Sequence, residues 1–250
     1  MKIKTNAIIS VAFAALCAQP ALSDGNHAIH QKGAVISPSD DGRTAAFDIL
    51  AAHIHSDGNT VTFHMTTNGI AGERTPEPAG QVGGSSVWSY VWPTSIDPAQ
   101  VGFDQGAGIL AMAATSHPDF DDTPLYDENL DGDLANDGGI WHSHWVVLAP
   151  TPECGSGGLA VKDIPAGATP NLPATWPGFP ILIDSPGFTP VFDGPEIAIK
   201  AAINGQINGA GYDGVRSALK VNENIHAPLL CVTDVFDIAS GDLSLPGVVE

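Results

Sequence analysis

The stretch from Asp127 to Trp145 reads DENLDGDLANDGGIWHSHW. Five carboxylates and two asparagines fill its first eleven positions, and two histidines and two tryptophans follow at once. Carboxylate and amide oxygens are hard ligands for calcium, whereas imidazole suits copper, zinc, nickel or iron. The two halves of the stretch therefore predict two metal sites of different hardness.

In the acidic half, Asp127, Asn129 and Asp131 alternate, Gly132 permits a sharp bend, and Asp133 follows. This is the first half of an EF-hand-type calcium loop. Its twelfth position, which needs a bidentate Glu, is Gly138, and Asp137 sits one place early. The expectation is a calcium loop inserted in a β protein, with Asp119, Asp121 and Asp122 upstream to complete the shell; the competing reading is a solvated acidic turn. In the second half, Ile140 to Leu148 alternates as a strand, placing His142 and His144 on one face and Trp141 and Trp145 on the other. An H-x-H pair on a strand supplies two ligands to one ion; alternatively, both rings hydrogen-bond to acids of the neighbouring loop. His117, in SHPDF, is a further ligand candidate from a loop. A calcium-clamped loop would rigidify the entry to the histidine strand.

A second imidazole group lies in AAHIHSDGNTVTFHM. Asp57-Gly58 signals a two-residue hairpin turn. With that turn His55 faces Thr60, His53 faces Thr62 and Ala51 faces His64, so His53, His55 and His64 share one side, with His64 diagonal to His53. Ile54, Val61, Phe63 and Met65 form the opposite, core-facing side. Three imidazoles on a polar face fit zinc or copper; they also fit a solvated face that tolerates histidine.

These residues must be held by β structure. Gly and Pro number 28 and 20, and few stretches keep a helical period beyond two turns. Strands are predicted over 45–55, 60–67, 87–91, 108–114, 140–148, 158–162, 181–183, 196–203 and 229–236. Many short strands separated by turn signals give an all-β class and an antiparallel β-sandwich with long irregular loops, of which 163–195 is the longest.

Residues 1–23 have a Lys-bearing start, an apolar run from Ala7 to Cys17 and A-x-S spacing at Ala21 and Ser23. That pattern is a secretory signal peptide, with Leu16 a poor context for lipoprotein cleavage at Cys17. The run is too short to span a bilayer, so no membrane insertion is expected. The remainder, 24–250, is read as a single β-rich metal-binding domain, periplasmic, secreted or on the cell surface. Export removes Lys2 and Lys4 from 9 basic residues and none of the 28 acidic ones, so the net charge becomes 7 − 28 = −21. That charge argues against nucleic acid and anionic membrane as partners, and it fits either a soluble extracytoplasmic protein or one whose partners are metal ions. Cys154 and Cys231 then remain in an oxidising compartment, where a disulfide is expected ahead of a pair of thiolate ligands.

An acidic secreted chain with Trp141, His142 and His144 crowded on one strand resembles the MopE/CorA-type surface copper-binding proteins of methanotrophic bacteria. The resemblance implies a β-rich fold, bound calcium, and one Cu(I) held by two histidines and an oxidised tryptophan, kynurenine. It casts Trp141 as the cofactor-forming residue and His64 or His117 as the remote ligand.

Enzyme motifs are sparse. LAAHIH around His53 and CGSGG around Ser156 resemble protease segments, but no Asp precedes Ser156 and no third group is singled out to orient a base. A metal-dependent hydrolase or oxidase built on the histidines is a more credible enzyme. A calcium-braced module binding carbohydrate or a protein through Trp88, Trp92 and Trp176 is another reading; the bland one buries these rings in the core. The sequence reading is thus an exported β-sandwich with calcium in the 127–137 loop and copper, or zinc, in a histidine cluster, serving metal acquisition or storage.

Overall fold

The computed structural model describes residues 31–224 and 228–250, so the predicted leader lies outside the described residues. The first half of the fold carries β1 (Val35–Ile36), β2 (Ile49–Asp57), β3 (Thr60–Thr67), β4 (Ser86–Pro93), β5 (Ile109–Ser116), β6 (His142–Pro150) and β7 (Leu159–Val161). The second carries β8 (Ile183–Asp184), β9 (Val191–Asp193), β10 (Glu196–Ala202), β11 (Gly211–Tyr212), β12 (Val215–Val221), β13 (Leu230–Ile238) and β14 (Gly247–Val248). Among the described residues the helical elements are short 3-10 turns.

The all-β class holds, but the architecture is not simply two open sheets. Strands β5-β4-β12-β13-β7-β6 follow one another edge to edge, and a further β6–β5 pairing closes them into a six-stranded antiparallel barrel. Strand β8 adds to β6, while β1-β2-β3-β10-β9 form a separate five-stranded sheet. Closure is what the sequence cannot announce, because alternation reads the same in an open sheet and in a barrel.

Alternation sorts side chains by size. From β4, β5 and β6, Tyr90, Trp92, Leu110, Met112, Trp145 and Val147 point out of the barrel into one core with Ile54, Phe63, Met65, Ile197 and Ile199 of the five-stranded sheet. Phe63 meets Trp92 and Trp145 at ring distances of 5.8 and 5.5 Å, fixing the sheet against the barrel wall. Burying one such ring stabilises the fold by roughly 3 kcal/mol. The alternate positions, among them Val87, Val91, Ala113, Val146, Val161, Val215 and Leu219, point inward and form a second cluster of smaller side chains.

Arg216 of β12 points outward and is fully buried. Its guanidinium lies 4.3 Å from the centre of the Tyr90 ring and 4.7 Å from that of Phe47, with Trp88, Trp141 and Phe236 within 5.8 Å. One nitrogen donates to the carbonyls of Ser89 and Ser217. Burial pulls its pKa down to about 10, so the cation persists at neutral pH, stabilised by the ring faces.

The barrel's weakest seam is β7–β13, which pairs only Cys231 with Ala160. The expected disulfide, Cys154–Cys231, joins the turn after β6 to β13 at that seam, with Cα atoms 5.5 Å apart.

The first hairpin corrects the predicted register. Asp57 pairs with Thr60, so the two-residue turn is Gly58-Asn59, with Gly58 at φ 63°. A turn with a left-handed first residue prefers Gly there, whereas a turn at Asp57-Gly58 would force Asp57 into that region. The one-residue slip in the turn sets His53 directly opposite His64 and His55 opposite Thr62. The three still share a face, and Ile54, Val61, Phe63 and Met65 are buried as expected.

Candidate metal centre

Antiparallel pairing of β5 and β6 sets Thr115 opposite His142 and Ala113 opposite His144. Both histidines occupy inward positions on β6 at this end of the barrel. His117 lies just beyond the last residue of β5, and the following loop folds back to bring in Asp122. Two backbone contacts hold that loop: the His117 amide donates to Gly138 O at 2.6 Å, and the Asp137 amide donates to Asp121 Oδ2 at 2.7 Å. Gly138 has a reason to be glycine, since a Cβ there would stand 1.7 Å from Phe120 O.

The ligand atoms of His117, Asp122, His142 and His144 all lie within 4.8 Å of one another, and none of the residues is more than 4% exposed. Asp122 Oδ1 is 3.2 Å from His117 Nε2, 3.1 Å from His142 Nε2 and 3.2 Å from His144 Nε2. His117 Nε2 and His142 Nε2 are 2.9 Å apart. A tetrahedron with metal–ligand bonds of about 2.05 Å has edges of about 3.3 Å, close to these four separations.

The far sides of the rings explain why the near sides can serve as ligands. His117 Nδ1 lies 2.9 Å from Phe120 O, His142 Nδ1 2.7 Å from Ile140 O, and His144 Nδ1 3.3 Å from Asp184 O. A carbonyl only accepts, so each Nδ1 carries the hydrogen and each neutral ring turns an Nε2 lone pair inward. Ser185 Oγ, 3.2 Å from His144 Nδ1, shares that outer position. Thr115 Oγ1 also sits 3.1 Å from His142 Nε2. Asp122 Oδ1 and His144 Nε2 nonetheless have no hydrogen-bond partner although both are buried. Three lone pairs and a carboxylate oxygen facing one another across about 3 Å repel unless a cation lies among them. Burial alone would raise the Asp122 pKa, but positive charge on His144 and His117, were these rings protonated, would hold it well below the usual carboxylate range. The group can hold a metal ion.

The other predicted residues are placed as follows. Trp141 lies outside the group: its indole N–H donates to Gly72 O at 3.0 Å, and its ring packs on Tyr90 and Phe192. His53 and His64 lie in the five-stranded sheet with ring centres 6.3 Å apart, and His55 is exposed. None of the three joins the converging group. In the acidic loop, Asp127 accepts the amides of Asp131 and Gly132, Asn129 that of Asp131, Asp131 that of Asp133, and Asp133 that of Ala135. Leu130 and Gly132 take left-handed φ values of 62° and 93° to make these turns. Asp137 is fully buried; its Oδ2 accepts from Glu128 N at 2.7 Å, while Oδ1 has no partner.

The residue that sequence reasoning misplaced is Asp122, grouped with Asp119 and Asp121 as a calcium ligand. Asp119 accepts the amides of Ala79 and Gly80, and Asp121 accepts those of Thr123 and Asp137. Asp122 alone of the three turns to the histidines. The available signal was the short spacing to His117 in HPDFDD, a separation of five positions that a tight loop closes. Comparison with protein-family models, curated proteins and solved structures finds no match to this chain.

Proposed function

We propose that this is an exported protein that holds one divalent transition-metal ion, copper(II) or zinc, on His117, Asp122, His142 and His144, for acquisition or storage rather than turnover. The observation that carries the reading is that three Nε2 atoms each lie 3.1–3.2 Å from Asp122 Oδ1, all four atoms within 4.8 Å of one another, with each Nδ1 engaged behind its ring. Three imidazoles and a carboxylate are a borderline-to-hard donor set, which favours a divalent ion over Cu(I). Four buried ligands slow exchange, which suits retention. The leader-like segment and the Cys154–Cys231 bridge support a place outside the cytoplasm.

The reading gives the 127–137 loop a calcium ion as a brace. Its support is the turn of alternating oxygen-bearing side chains and the unpartnered, buried Oδ1 of Asp137. Neither metal is assigned a catalytic step.

The test is elemental analysis of protein isolated from its native compartment, with the His142→Ala/His144→Ala variant prepared alongside. One copper or zinc per chain, lost in the variant, is the expected result. A wild-type chain carrying calcium but no transition metal would sink the reading.

A further inference from the structure

A small closed barrel is ordinarily filled by its own side chains. Here the inward positions are Val, Ala and Ser over much of β4, β5, β6 and β12, the large aromatics having been turned outward. The result is an internal cavity of about 130 Å³. Its walls are aliphatic, with Val87, Val91, Val146, Val161, Val215 and Leu219 among them. Three hydroxyl-bearing residues line it: Ser89 and Ser217, whose Oγ atoms lie 2.8 Å apart and satisfy each other, and Thr115 at the histidine end, whose hydroxyl lies 3.1 Å from His142 Nε2.

The cavity has two distinct ends. At one, it is bounded by His117, Asp122 and His144, which include the two unpartnered buried atoms, Asp122 Oδ1 and His144 Nε2. At the other lie Pro93, Ile109 and Leu148, with Leu243 and Leu245 from the loop after β13. These two leucines adopt left-handed φ values of 58° and 54°, an uncommon conformation for residues bearing a Cβ. The loop thus holds apolar side chains over the cavity against local backbone preference, and such strain concentrates at ligand sites.

We propose that the barrel interior binds a compact apolar molecule bearing one Lewis-basic oxygen, a phenol or a small branched or cyclic alcohol, with the oxygen at the metal and the hydrocarbon among the valines. The proposal rests on the metal reading above. Size sets the upper bound: a cavity of roughly 150 Å³ lined by aliphatic groups takes benzene, so this one suits about six or seven non-hydrogen atoms, with the oxygen reaching beyond it to the histidine end. Polarity sets the orientation, because the hydroxyls on the wall are already paired and the unpartnered polar atoms of its described lining lie at the histidine end. Coordination permits it, since a four-ligand zinc or copper centre can expand to five. A fifth position would open on the cavity side, where three of the four ligand residues line the wall.

The experiment uses the full mature chain carrying the ion with which it is isolated, and the ion is counted in each sample. Fluorobenzene and 4-fluorophenol are titrated by fluorine NMR before and after the ion is removed. Both probes are expected to bind once per chain, and 4-fluorophenol to bind about tenfold more tightly with the ion than without, with fluorobenzene unchanged. Val215→Phe, which fills the cavity away from the histidines, should abolish both and keep the ion; Val161→Phe serves if the first variant does not fold. Ion-bearing protein that binds neither probe would overturn the proposal and leave the metal reading intact. So would equal affinity for 4-fluorophenol with and without the ion. A chain isolated with no transition metal overturns the metal reading, and the metal count reveals this independently of either titration.

Discussion

Among the described residues the histidines form two trios, and only one of them could hold a metal ion. His53, His55 and His64 lie on one face of a sheet; His117, His142 and His144 lie at the end of a barrel. In the sheet, opposed rings run side by side, and His53 and His64 stay 6.3 Å apart at their centres. Both nitrogens of buried His53 lack partners, so nothing fixes its tautomer or aim. At the barrel end, curvature and a returning loop point the rings inward, backbone carbonyls hold each Nδ1, and Asp122 supplies the countercharge. Three imidazoles on one face are therefore insufficient. What makes a centre is an outer shell that fixes the tautomers and a carboxylate that completes the set.

The largest effect should separate the two trios outright. Asp122→Ala is expected to weaken transition-metal affinity by more than about a thousandfold, because an anionic ligand is lost and three lone pairs are left facing one another. His53→Ala with His64→Ala should leave it within about twofold, as expected of independent sites. Competition against a chelator of known affinity measures both, and a large loss in the sheet variant would break the distinction. The next effect tests whether the centre depends on barrel closure. Cys154→Ser removes a bridge spanning 77 residues at the seam held by one residue pair, and should cost about 4 kcal/mol in urea unfolding. The ion should be released along with barrel unfolding; retention of the ion after the barrel opens would show that the centre does not need closure.

The sequence exposed the parts of this arrangement that depend on residue type and local period. Strand β3 falls on its expected bounds, and β6 carries His142 and His144 on one face with Trp145 on the other, because alternation in these segments is clean. Strand β12 was missed: Arg216 and Lys220 break its apolar pattern, and only the ring cage around Arg216 makes a guanidinium tolerable on that face. Strands of two or three residues, such as β1, β9, β11 and β14, are too short for any period to register. Of the four converging residues, the three histidines were legible by type, while Asp122 was hidden in a run of acids. What singles it out is the direction of the returning loop, fixed by the Gly138–His117 contact across more than twenty positions of chain.

Proton linkage distinguishes the sheet trio in its own right. Burial, then the neighbouring His64 and His55, lower the His53 pKa below 6.5; burial, then His55, lower that of His64. The folded state thus resists a proton that the unfolded chain accepts near pH 6.5. Their contribution is fully present above that value and is lost as pH falls through it toward the lowered folded pKa. His53→Phe should flatten the fall in urea midpoint between pH 7.5 and 5.5 relative to wild type. An unchanged difference would mean that His53 is not shielded from protons.

The smallest effect lies along the route from the acidic loop to the metal centre. Asp137 accepts the amide of Glu128 through Oδ2, donates its own amide to Asp121, and offers its carbonyl to Ile140 N at 2.7 Å. Gly138 O next accepts the His117 amide, and Ile140 O holds His142 Nδ1. Two of the three converging histidines, His117 through its amide and His142 through its ring, are thus tied to backbone that leaves the acidic loop directly. A calcium ion in the 127–137 loop would stiffen this route without touching a transition-metal ligand. Its removal with a calcium-selective chelator should lower transition-metal affinity by no more than about tenfold, the lower range for disturbing an outer shell. Asp137→Asn, which keeps the side chain's shape but removes its charge, should reproduce the effect and make the chelator redundant. If neither treatment changes the affinity, the acidic loop and the barrel end are independent, and the carbonyl anchors alone suffice to hold the rings.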